Sequence, residues 1–254
     1  MIVDGLHLNA RVVGEGPPVL LLHGWGRSGE DFAPIAERLS KEGFACHLLD
    51  LPGFGESDMP PDAWDVPRYA QFVLAYMDAA ELERASLIGH SFGGRISIVL
   101  AADCPGRVEK IVLVNSAGIR LPPPPRMRLY YASRRIIFAI LRLPMLQYLE
   151  PSVRQWFWER YASDDLKAAR ESGHEAIFRA VIAQDLRDDA ARIQVPTLLI
   201  WGDADIETPL RYGQLFEQII PDAGLVIMEG AGHDLHLHRP DYFVRVVGVF
   251  LRGE

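Results

Sequence analysis

The stretch Gly89-His90-Ser91-Phe92-Gly93-Gly94 decides how this chain folds. It lies between two apolar runs, residues 85–88 and 95–102, and this arrangement predicts a strand, a tight turn and a helix. Glycines flank the serine because a Cβ at those positions would clash with the adjoining strand and helix. The turn places the Ser91 hydroxyl at the helix N-terminus, where free N–H groups and peptide dipoles stabilise a developing anion. We therefore predict a nucleophile elbow with Ser91 as the nucleophile.

Short apolar runs alternate with segments of helical period along the whole chain, and this alternation is typical of a parallel sheet covered on both faces. The predicted strands are Leu6–Val13, Val19–His23, Ala45–Asp50, Ala85–Gly89, Lys110–Asn115, Thr197–Trp201 and Leu225–Glu229. The predicted helices are Asp31–Lys41, Pro67–Ala80, Ser91–Asp103, Leu210–Ile220 and Tyr242–Leu251. The fold class is thus α/β, with a mostly parallel central sheet flanked by helices.

One connection is far longer than the others. About 80 residues separate the strand ending at Asn115 from the strand beginning at Thr197, many more than a βα connection needs. This segment begins with four prolines, Pro122–Pro125, and continues with helix-like patterning. We predict a helical lid over residues 119–192, inserted between two parts of the core, residues 1–118 and 193–254.

Composition excludes several classes of protein. The chain has 254 residues, with 34 acidic and 26 basic side chains and a formal net charge of −8, which argues against a nucleic-acid partner. Hydrophobic residues make up 49% and charged residues 24%, as in soluble globular proteins. The longest apolar stretch, Ile136–Leu149, contains Arg142 and Pro144 and falls short of the ~20 residues that span a bilayer. Residues 1–13 carry no export signal, so we expect a cytoplasmic protein without a membrane span.

Charge is distributed unevenly. Residues 120–160 hold eight arginines, no lysine and two glutamates, a local charge of +6. These arginines form a solvated face, a site for an anionic substrate or acidic carrier protein, or a patch that meets a membrane surface. The two cysteines, Cys46 and Cys104, lie in apolar segments without metal-type spacing and are expected to be buried free thiols.

A serine hydroxyl is a weak nucleophile, so a base must take its proton and a carboxylate must orient that base. His233 lies in the glycine-rich loop 230–234 after the last predicted strand. Asp205 lies directly after the strand Thr197–Trp201. The order Ser91, Asp205, His233 differs from the chymotrypsin and subtilisin orders, and all three follow carboxyl ends of strands, where active sites form in parallel sheets.

Other residues compete for these roles. Asp203 is an alternative acid, although the interval from Asp205 to Pro209 favours Asp205. His236 and His238 follow His233 closely and could suggest a metal site, but no second cluster of ligands accompanies them, so we predict no metal.

The anion-binding groups are expected from two loops. His23-Gly24-Trp25-Gly26 follows the strand at residues 19–22, and its glycines let the backbone approach a substrate. The predicted oxyanion hole is the pair of backbone N–H groups of Trp25 and Phe92. The loop Asp50–Ser57 shapes the same edge of the sheet.

Together, these motifs resemble the α/β-hydrolase superfamily in their order and spacing along the whole chain. Serine at the elbow argues against the superfamily's epoxide hydrolases and haloalkane dehalogenases, which use aspartate there. The stretches from His23 and from Asp50 are similar to those of carboxylesterases acting on pimeloyl-carrier-protein methyl ester.

The resemblance implies a carboxylesterase that works through an acyl-enzyme, needs no cofactor, binds a small ester with an apolar group, and is a monomer or homodimer. Alternatives are hydrolysis of a carbon–carbon bond in a ring-cleavage product, with the same serine and histidine, and ligand binding without catalysis. Residues expected to line the substrate pocket are His23, Gly24, His90, Tyr130, Tyr131, Phe138 and Trp156.

Overall fold

The computed structural model describes residues 1–122, 133, 136–141, 143, 146–161 and 164–254. Contacts divide the chain into two compact units. The first unit joins Met1–Ile119 to Arg179–Glu254, and the second unit is Arg120–Phe178. The residues expected to carry the chemistry of the elbow, acid and base all belong to the first unit.

A mixed sheet forms the centre of the first unit. In the described residues its strand order is β3-β5-β4-β6-β7-β8-β9, and β1 and β2 form a separate antiparallel pair. Strand β3 is antiparallel to β5, and the other neighbours are parallel. The strands are β1 Ile2–Val3, β2 Leu6–His7, β3 Ala10–Val13, β4 Pro18–Leu22, β5 Ala45–Leu49, β6 Ala85–His90, β7 Val108–Val114, β8 Thr197–Gly202 and β9 Ala223–Met228. The prediction of a mostly parallel sheet flanked by helices is confirmed.

The helices follow the strands in the expected alternation. They are α1 Ala33–Lys41, α2 Val66–Ala79, α3 Phe92–Asp103, α4 Glu150–Tyr161, α5 Asp164–Glu171, α6 Glu175–Ala183, α7 Arg187–Ala190, α8 Arg211–Ile219, α9 Leu235–His238 and α10 Pro240–Arg252. Short 3₁₀ turns cover Gly29–Phe32, Pro105–Arg107 and Gln147–Leu149.

Local sequence explains where these helices begin and end. Asp65 caps α2, because its side chain accepts a hydrogen bond from the Arg68 N–H at 3.0 Å. Proline opens α10, and Gly253 closes it in the left-handed conformation at φ 80°. Helix α3 is buried from Phe92 to Ala102, as expected of a helix composed mostly of apolar residues and glycine.

Helices cover the sheet and bury its apolar side chains. Helix α3 packs on β4, β6 and β7, with α2 beside it, while α1 packs on β5 and α10. A core cluster joins Ile35 and Leu39 of α1 to Phe243 and Val247 of α10 and to the strands. Each fully buried side chain of this size contributes about 1.5–3 kcal/mol. This core holds the carboxyl ends of the strands in fixed relative positions.

The prediction of one strand over Leu6–Val13 was wrong. The structure has β2 and β3 instead, in different sheets. Asn9 separates them, because its N–H donates to Ser57 Oγ at 2.9 Å rather than to a strand. The polar loop after β5 therefore interrupts the pairing that the apolar pattern predicted.

The second unit is mostly helical where the structure describes it. Residues 136–141 are helical, and α4 and α5 follow. Phe157 is buried between Phe138 and Trp156, with ring centroids 5.8 and 5.0 Å away. Residues 179–192, grouped with the lid on sequence grounds, belong to the first unit. A lid over residues 119–192 stays a prediction.

The described residues also show the character of the helices and the state of the two cysteines. Among the described residues, no helix is long and apolar enough to cross a membrane. Both cysteines are free, and Cys46 is buried whereas Cys104 is half-buried. Burial raises the pKa of the Cys46 thiol to about 12, which makes it a poor nucleophile.

Candidate active site

The candidate site lies at the carboxyl edge of the sheet. Ser91 follows β6, Asn115 follows β7, Asp205 lies three residues beyond β8, and His233 lies five residues beyond β9. These four strands are consecutive neighbours and parallel. Because parallel strands end at one edge, the fold directs these four residues to that edge.

Ser91 occupies a strained turn between β6 and α3. Its φ of 48° and ψ of −103° lie in a region that L residues rarely adopt, which costs about 1–3 kcal/mol. The Ser91 N–H is held by the Val114 carbonyl at 3.1 Å. Gly93 is required here, since a Cβ on it would collide with the Leu22 carbonyl of β4. The turn therefore leads directly into α3, whose first N–H groups have no partner within the helix.

Asp205 and His233 are directly paired. The His233 Nδ1–H donates to Asp205 Oδ2 at 2.8 Å. The Asp205 carboxylate is fully buried and accepts further hydrogen bonds from the Thr208 hydroxyl at 2.7 Å and from the N–H groups of Glu207 and Thr208 at 2.8 and 3.0 Å. This arrangement fixes the ring and leaves Nε2 as the nitrogen able to take a proton.

The pairing shifts both pKa values. Burial alone would raise the pKa of Asp205. The hydrogen bond from His233, the charge of His233 and the hydrogen bonds from Thr208 together lower it. Burial alone would lower the pKa of His233. Its hydrogen bond to Asp205 and the negative charge of Asp205 raise the pKa instead, and the charges of Glu207 and Asp234 raise it further. Asp205 is therefore ionised near neutral pH, and His233 is more basic than an ordinary histidine.

Asp203, the alternative acid, lies elsewhere. It is exposed, and its Oδ1 accepts a hydrogen bond from the Gly230 N–H at 2.7 Å. Of the two aspartates after β8, the one hydrogen-bonded to His233 is Asp205.

The free nitrogen of His233 faces a second carboxylate. Its Nε2 lies 3.4 Å from Glu207 Oε2, whose side chain is exposed. Within the part of the chain that the structure describes, no hydrogen bond joins Ser91 to His233. Such bonds are often long before a substrate binds.

Asn115 and Thr208 were not singled out as site residues by the sequence reasoning. The Asn115 amide donates to the Gly232 and His233 carbonyls at 2.9 and 2.6 Å, and its Oδ1 accepts from the Gly202 N–H at 3.0 Å. Asn115 therefore ties the end of β8 to the loop that carries His233. The only signal was its position at the end of a strand, which does not reveal hydrogen bonds to distant loops.

The loop after β4 is anchored by His23. Its Nδ1–H donates to the Gly24 carbonyl at 2.7 Å, and its Nε2 accepts from the Leu51 N–H at 2.9 Å. Burial lowers the pKa of His23 to about 4, so the ring is neutral. A Cβ on Gly24 would come within 2.8 Å of His90 Nδ1, which explains the glycine. Both residues were expected to line the pocket, and both are buried.

The two residues predicted for the oxyanion hole lie side by side. The Trp25 ring meets the Phe92 ring edge-on with centroids 5.5 Å apart, and Phe54 packs against both. Phe92 is the first residue of α3. The loop after β4 and the elbow are therefore in contact through their aromatic side chains.

Two further histidines pack beneath His233. His90 is buried, with its ring centroid 4.7 Å from that of His233 and 4.5 Å from that of His236. Its Nε2–H donates to the His233 carbonyl at 3.1 Å, and burial holds its pKa well below the usual value. Within the described ranges, no group of three or more His, Cys, Asp or Glu side chains is arranged to hold a metal ion.

The remaining pocket predictions fall outside the first unit. Phe138 and Trp156 both contact Phe157 in the second unit, and Trp156 is 54% exposed. Tyr130 and Tyr131 lie outside the residues that the structure describes.

Comparisons with known proteins agree with this layout. The family model described as alpha/beta hydrolase fold matches residues 17–240. The chain belongs to this family. It is 32% identical to the pimeloyl-[acyl-carrier protein] methyl ester esterase of Chromobacterium violaceum, over 98% of this chain and 100% of that protein. It is 29% identical to the 2-hydroxy-6-oxo-2,4-heptadienoate hydrolase of Pseudomonas putida, over 100% of this chain and 96% of that protein.

Solved structures show the same alpha/beta hydrolase fold. The enol-lactonase from Burkholderia xenovorans LB400 superposes with a TM-score of 0.75 at 29% identity, covering 98% of both chains. The resemblance drawn from the sequence is thus confirmed at the level of family and fold, and membership in a hydrolase superfamily supports an enzyme.

Proposed function

We propose that this alpha/beta hydrolase is a serine carboxylesterase with Ser91 as nucleophile, His233 as base and Asp205 as the orienting acid. The observation that carries the proposal is the 2.8 Å hydrogen bond from His233 to the buried Asp205, at the strand edge where Ser91 occupies its strained turn. Nucleophile, base and acid thus come from the loops after β6, β9 and β8, in the order expected of this fold.

The reaction proceeds in two halves. Ser91 Oγ attacks the ester carbonyl carbon while its proton passes to His233 Nε2, and Asp205 stabilises the imidazolium. The tetrahedral intermediate collapses, the C–O bond to the alcohol breaks, and His233 gives its proton to the leaving oxygen. A water molecule then loses a proton to His233 and attacks the acyl carbon. The bond between that carbon and Ser91 Oγ breaks, His233 returns the proton to Oγ, and the carboxylic acid leaves. None of these steps needs a metal or organic cofactor.

Backbone N–H groups would bind the negative oxygen of the intermediate. The Phe92 N–H is the first of α3, at the positive end of the helix, and Trp25 contacts Phe92 from the loop after β4. Loss of one such donor typically lowers the rate about 10²-fold to 10³-fold. We assign the oxyanion hole to these two residues.

The substrate is proposed to be a small ester with an apolar acyl or alcohol group. The second unit carries exposed apolar side chains such as Trp156, Ile136 and Tyr148, which suit an apolar substrate group, and we assign this unit the role of a lid. The relative from Chromobacterium violaceum is named for a methyl ester substrate. We place the enzyme in the cytoplasm, as a monomer or homodimer.

A second candidate is hydrolysis of a carbon–carbon bond in a ring-cleavage product. The relative from Pseudomonas putida is named for such a substrate, and the same serine and histidine would serve. Ring-cleavage products are yellow, so loss of their absorbance distinguishes this activity from ester hydrolysis.

The test is initial-rate hydrolysis of p-nitrophenyl esters from acetate to decanoate by the wild type, Ser91→Ala and Ser86→Ala. Ser86 is a buried serine on β6, remote from the turn, and provides the matched control. We expect turnover by the wild type and Ser86→Ala, and a fall of roughly 10³-fold or more in Ser91→Ala. No turnover of any ester by the wild type, or full activity in Ser91→Ala, would contradict the proposal.

A further inference from the structure

An ion pair links the loop after β4 to the loop that carries His233. Arg27 lies two residues after Trp25, and Asp234 directly follows His233. The Arg27 guanidinium contacts Asp234 Oδ2 at 2.5 Å and, through Nε, Asp31 Oδ2 at 3.1 Å. One side chain thus joins segments separated by 207 residues of sequence.

The position of this pair is more informative than its contribution to stability. Both side chains are about one-third exposed, so solvent screens the pair and its contribution to the stability of the fold is small. However, Trp25 and His233 are the residues to which we assign an oxyanion donor and the base. The pair therefore connects two parts of the site that must keep a fixed separation.

Asp234 also faces the histidines beneath the site. Its Oδ1 lies 3.9 Å from His90 Nε2, and that nitrogen donates to the His233 carbonyl. His90 directly precedes Ser91. Asp234, which lies in the loop of residues 230–234 that carries His233 (the base loop), therefore also lies beside the elbow. The charged and titratable groups that face His233 are Asp205, Glu207, Asp234, His90 and His236.

We propose that Arg27 and Asp234 are positioning residues that hold the loop after β4, which carries Trp25, at a fixed distance from the base loop. The inference rests on the proposed esterase function. Neither side chain touches the reacting atoms, and both act through their neighbours. A displacement of about 1 Å between the two loops would lower the rate roughly 10²-fold without removing any group that reacts.

The two partners have opposite electrostatic effects on His233. The Asp234 carboxylate raises the pKa of His233, and Arg27 neutralises that carboxylate. Arg27→Met leaves Asp234 unpaired, so the acid limb of kcat/KM should move to higher pH. Asp234→Asn removes one negative charge near His233 and leaves Arg27 paired with Asp31 alone, so the acid limb should move to lower pH. The double variant should return the acid limb towards its original position while kcat stays low.

The experiment measures pH profiles of ester hydrolysis for these variants and for Arg27→Lys, together with the NMR titration of the ¹⁵N-labelled His233 ring. We expect kcat to fall roughly 10-fold to 10²-fold in Arg27→Met and Asp234→Asn, with KM changed by less than about threefold, and Arg27→Lys to recover part of kcat. Arg38→Met is the matched control, since Arg38 is equally exposed and pairs with Asp241 at 2.7 Å on helices α1 and α10.

The outcomes separate this inference from the proposed function. Opposite shifts of His233 in the two single variants, absent from Arg38→Met, support the positioning role. Shifts in the same direction, no shift, or an equal loss of kcat in Arg38→Met overturn it. The NMR titration needs no substrate, so a wild type inactive on esters would refute the esterase proposal while the titration still tests the pair. Thermal unfolding of each variant identifies any that fails to fold. If Arg27→Met fails to fold, the comparison of Arg27→Lys with Asp234→Asn provides the decision.

Discussion

Replacement of His236 by phenylalanine should make the protein less sensitive to acid. The His236 side chain is 1% exposed, stacks on Phe32 with centroids 4.9 Å apart, and faces Phe243 at 6.1 Å. Both of its ring nitrogens are buried without a hydrogen-bond partner in the described part of the chain. An apolar ring would suit this environment, because an unsatisfied buried polar atom costs about 1–3 kcal/mol.

The magnitude of the effect follows from linkage between protonation and folding. Burial, together with the positive charge of Arg27, lowers the pKa of His236 from 6.5 to about 3 in the folded protein. The unfolded chain takes up this proton near pH 6.5 and the folded chain only near pH 3, so the free energy of unfolding decreases as pH falls through that window. At about 1.36 kcal/mol per pH unit, His236 accounts for about 2 kcal/mol of stability lost between pH 7.5 and 5.

Urea unfolding of the wild type and His236→Phe at pH 7.5 and pH 5 measures this difference. We expect the variant to lose about 2 kcal/mol less than the wild type between the two pH values. At pH 7.5 it should differ from the wild type by less than about 2 kcal/mol, since relief of the two unsatisfied nitrogens opposes the strain of a larger ring.

His47→Phe provides the contrast. His47 is also buried, but its Nδ1 is hydrogen-bonded to the Tyr76 hydroxyl at 2.7 Å, and this substitution should cost about 1–3 kcal/mol at pH 7.5 by leaving the hydroxyl unpaired. An unchanged acid sensitivity in His236→Phe, or a loss above about 3 kcal/mol at pH 7.5, would refute the reasoning.

Two further predictions concern the acid and the base. Asp205→Asn should lower kcat by roughly 10⁴-fold, because the amide disturbs the tautomer of His233, whereas Asp203→Asn should change kcat less than about tenfold. Steady-state kinetics on one ester measure both effects, and a larger fall in Asp203→Asn would reverse the assignment of the acid. Because the pKa of His233 is raised, kcat/KM should fall as pH decreases through a midpoint above 6.5. Glu207→Gln should move that midpoint to lower pH, since the Glu207 carboxylate, 3.4 Å from Nε2, contributes to the raised pKa. A midpoint that stays in place would show that Glu207 has no effect on the base.

The parts of this protein that sequence predicts well are those determined by local pattern. The elbow is a good example: an apolar run, a glycine-flanked serine and a second apolar run allow few other backbone paths. The prediction of a strand over Leu6–Val13 used the same kind of pattern and was wrong, because Asn9 bonds to Ser57, 48 residues away. Periodicity records which side chains are apolar and carries no information about such a partner.

In the candidate site, too, local pattern predicts some features, whereas others depend on distant partners. The chain order, the strand ends and the interval from Asp205 to Pro209 selected Ser91, Asp205 and His233 for the proposal. Coordinates were needed to show which of the two aspartates is hydrogen-bonded to His233. The hydrogen bonds of Asn115 to three distant backbone groups were not predictable, because an asparagine after a strand is also common in ordinary turns.

Two non-glycine residues at this site, Ser91 and Asn115, have a backbone with positive φ. Ser91 is held at positive φ by the bond from its N–H to the Val114 carbonyl, and Gly93 permits the close approach to β4. Asn115, which also has a positive φ of 41°, donates hydrogen bonds to the Gly232 and His233 carbonyls. Two strained residues after neighbouring strands thus fix the elbow and the base loop relative to one sheet. Since each conformation costs about 1–3 kcal/mol, the surrounding hydrogen bonds must offset that strain, at the proposed nucleophile and at the residue that holds the loop carrying His233.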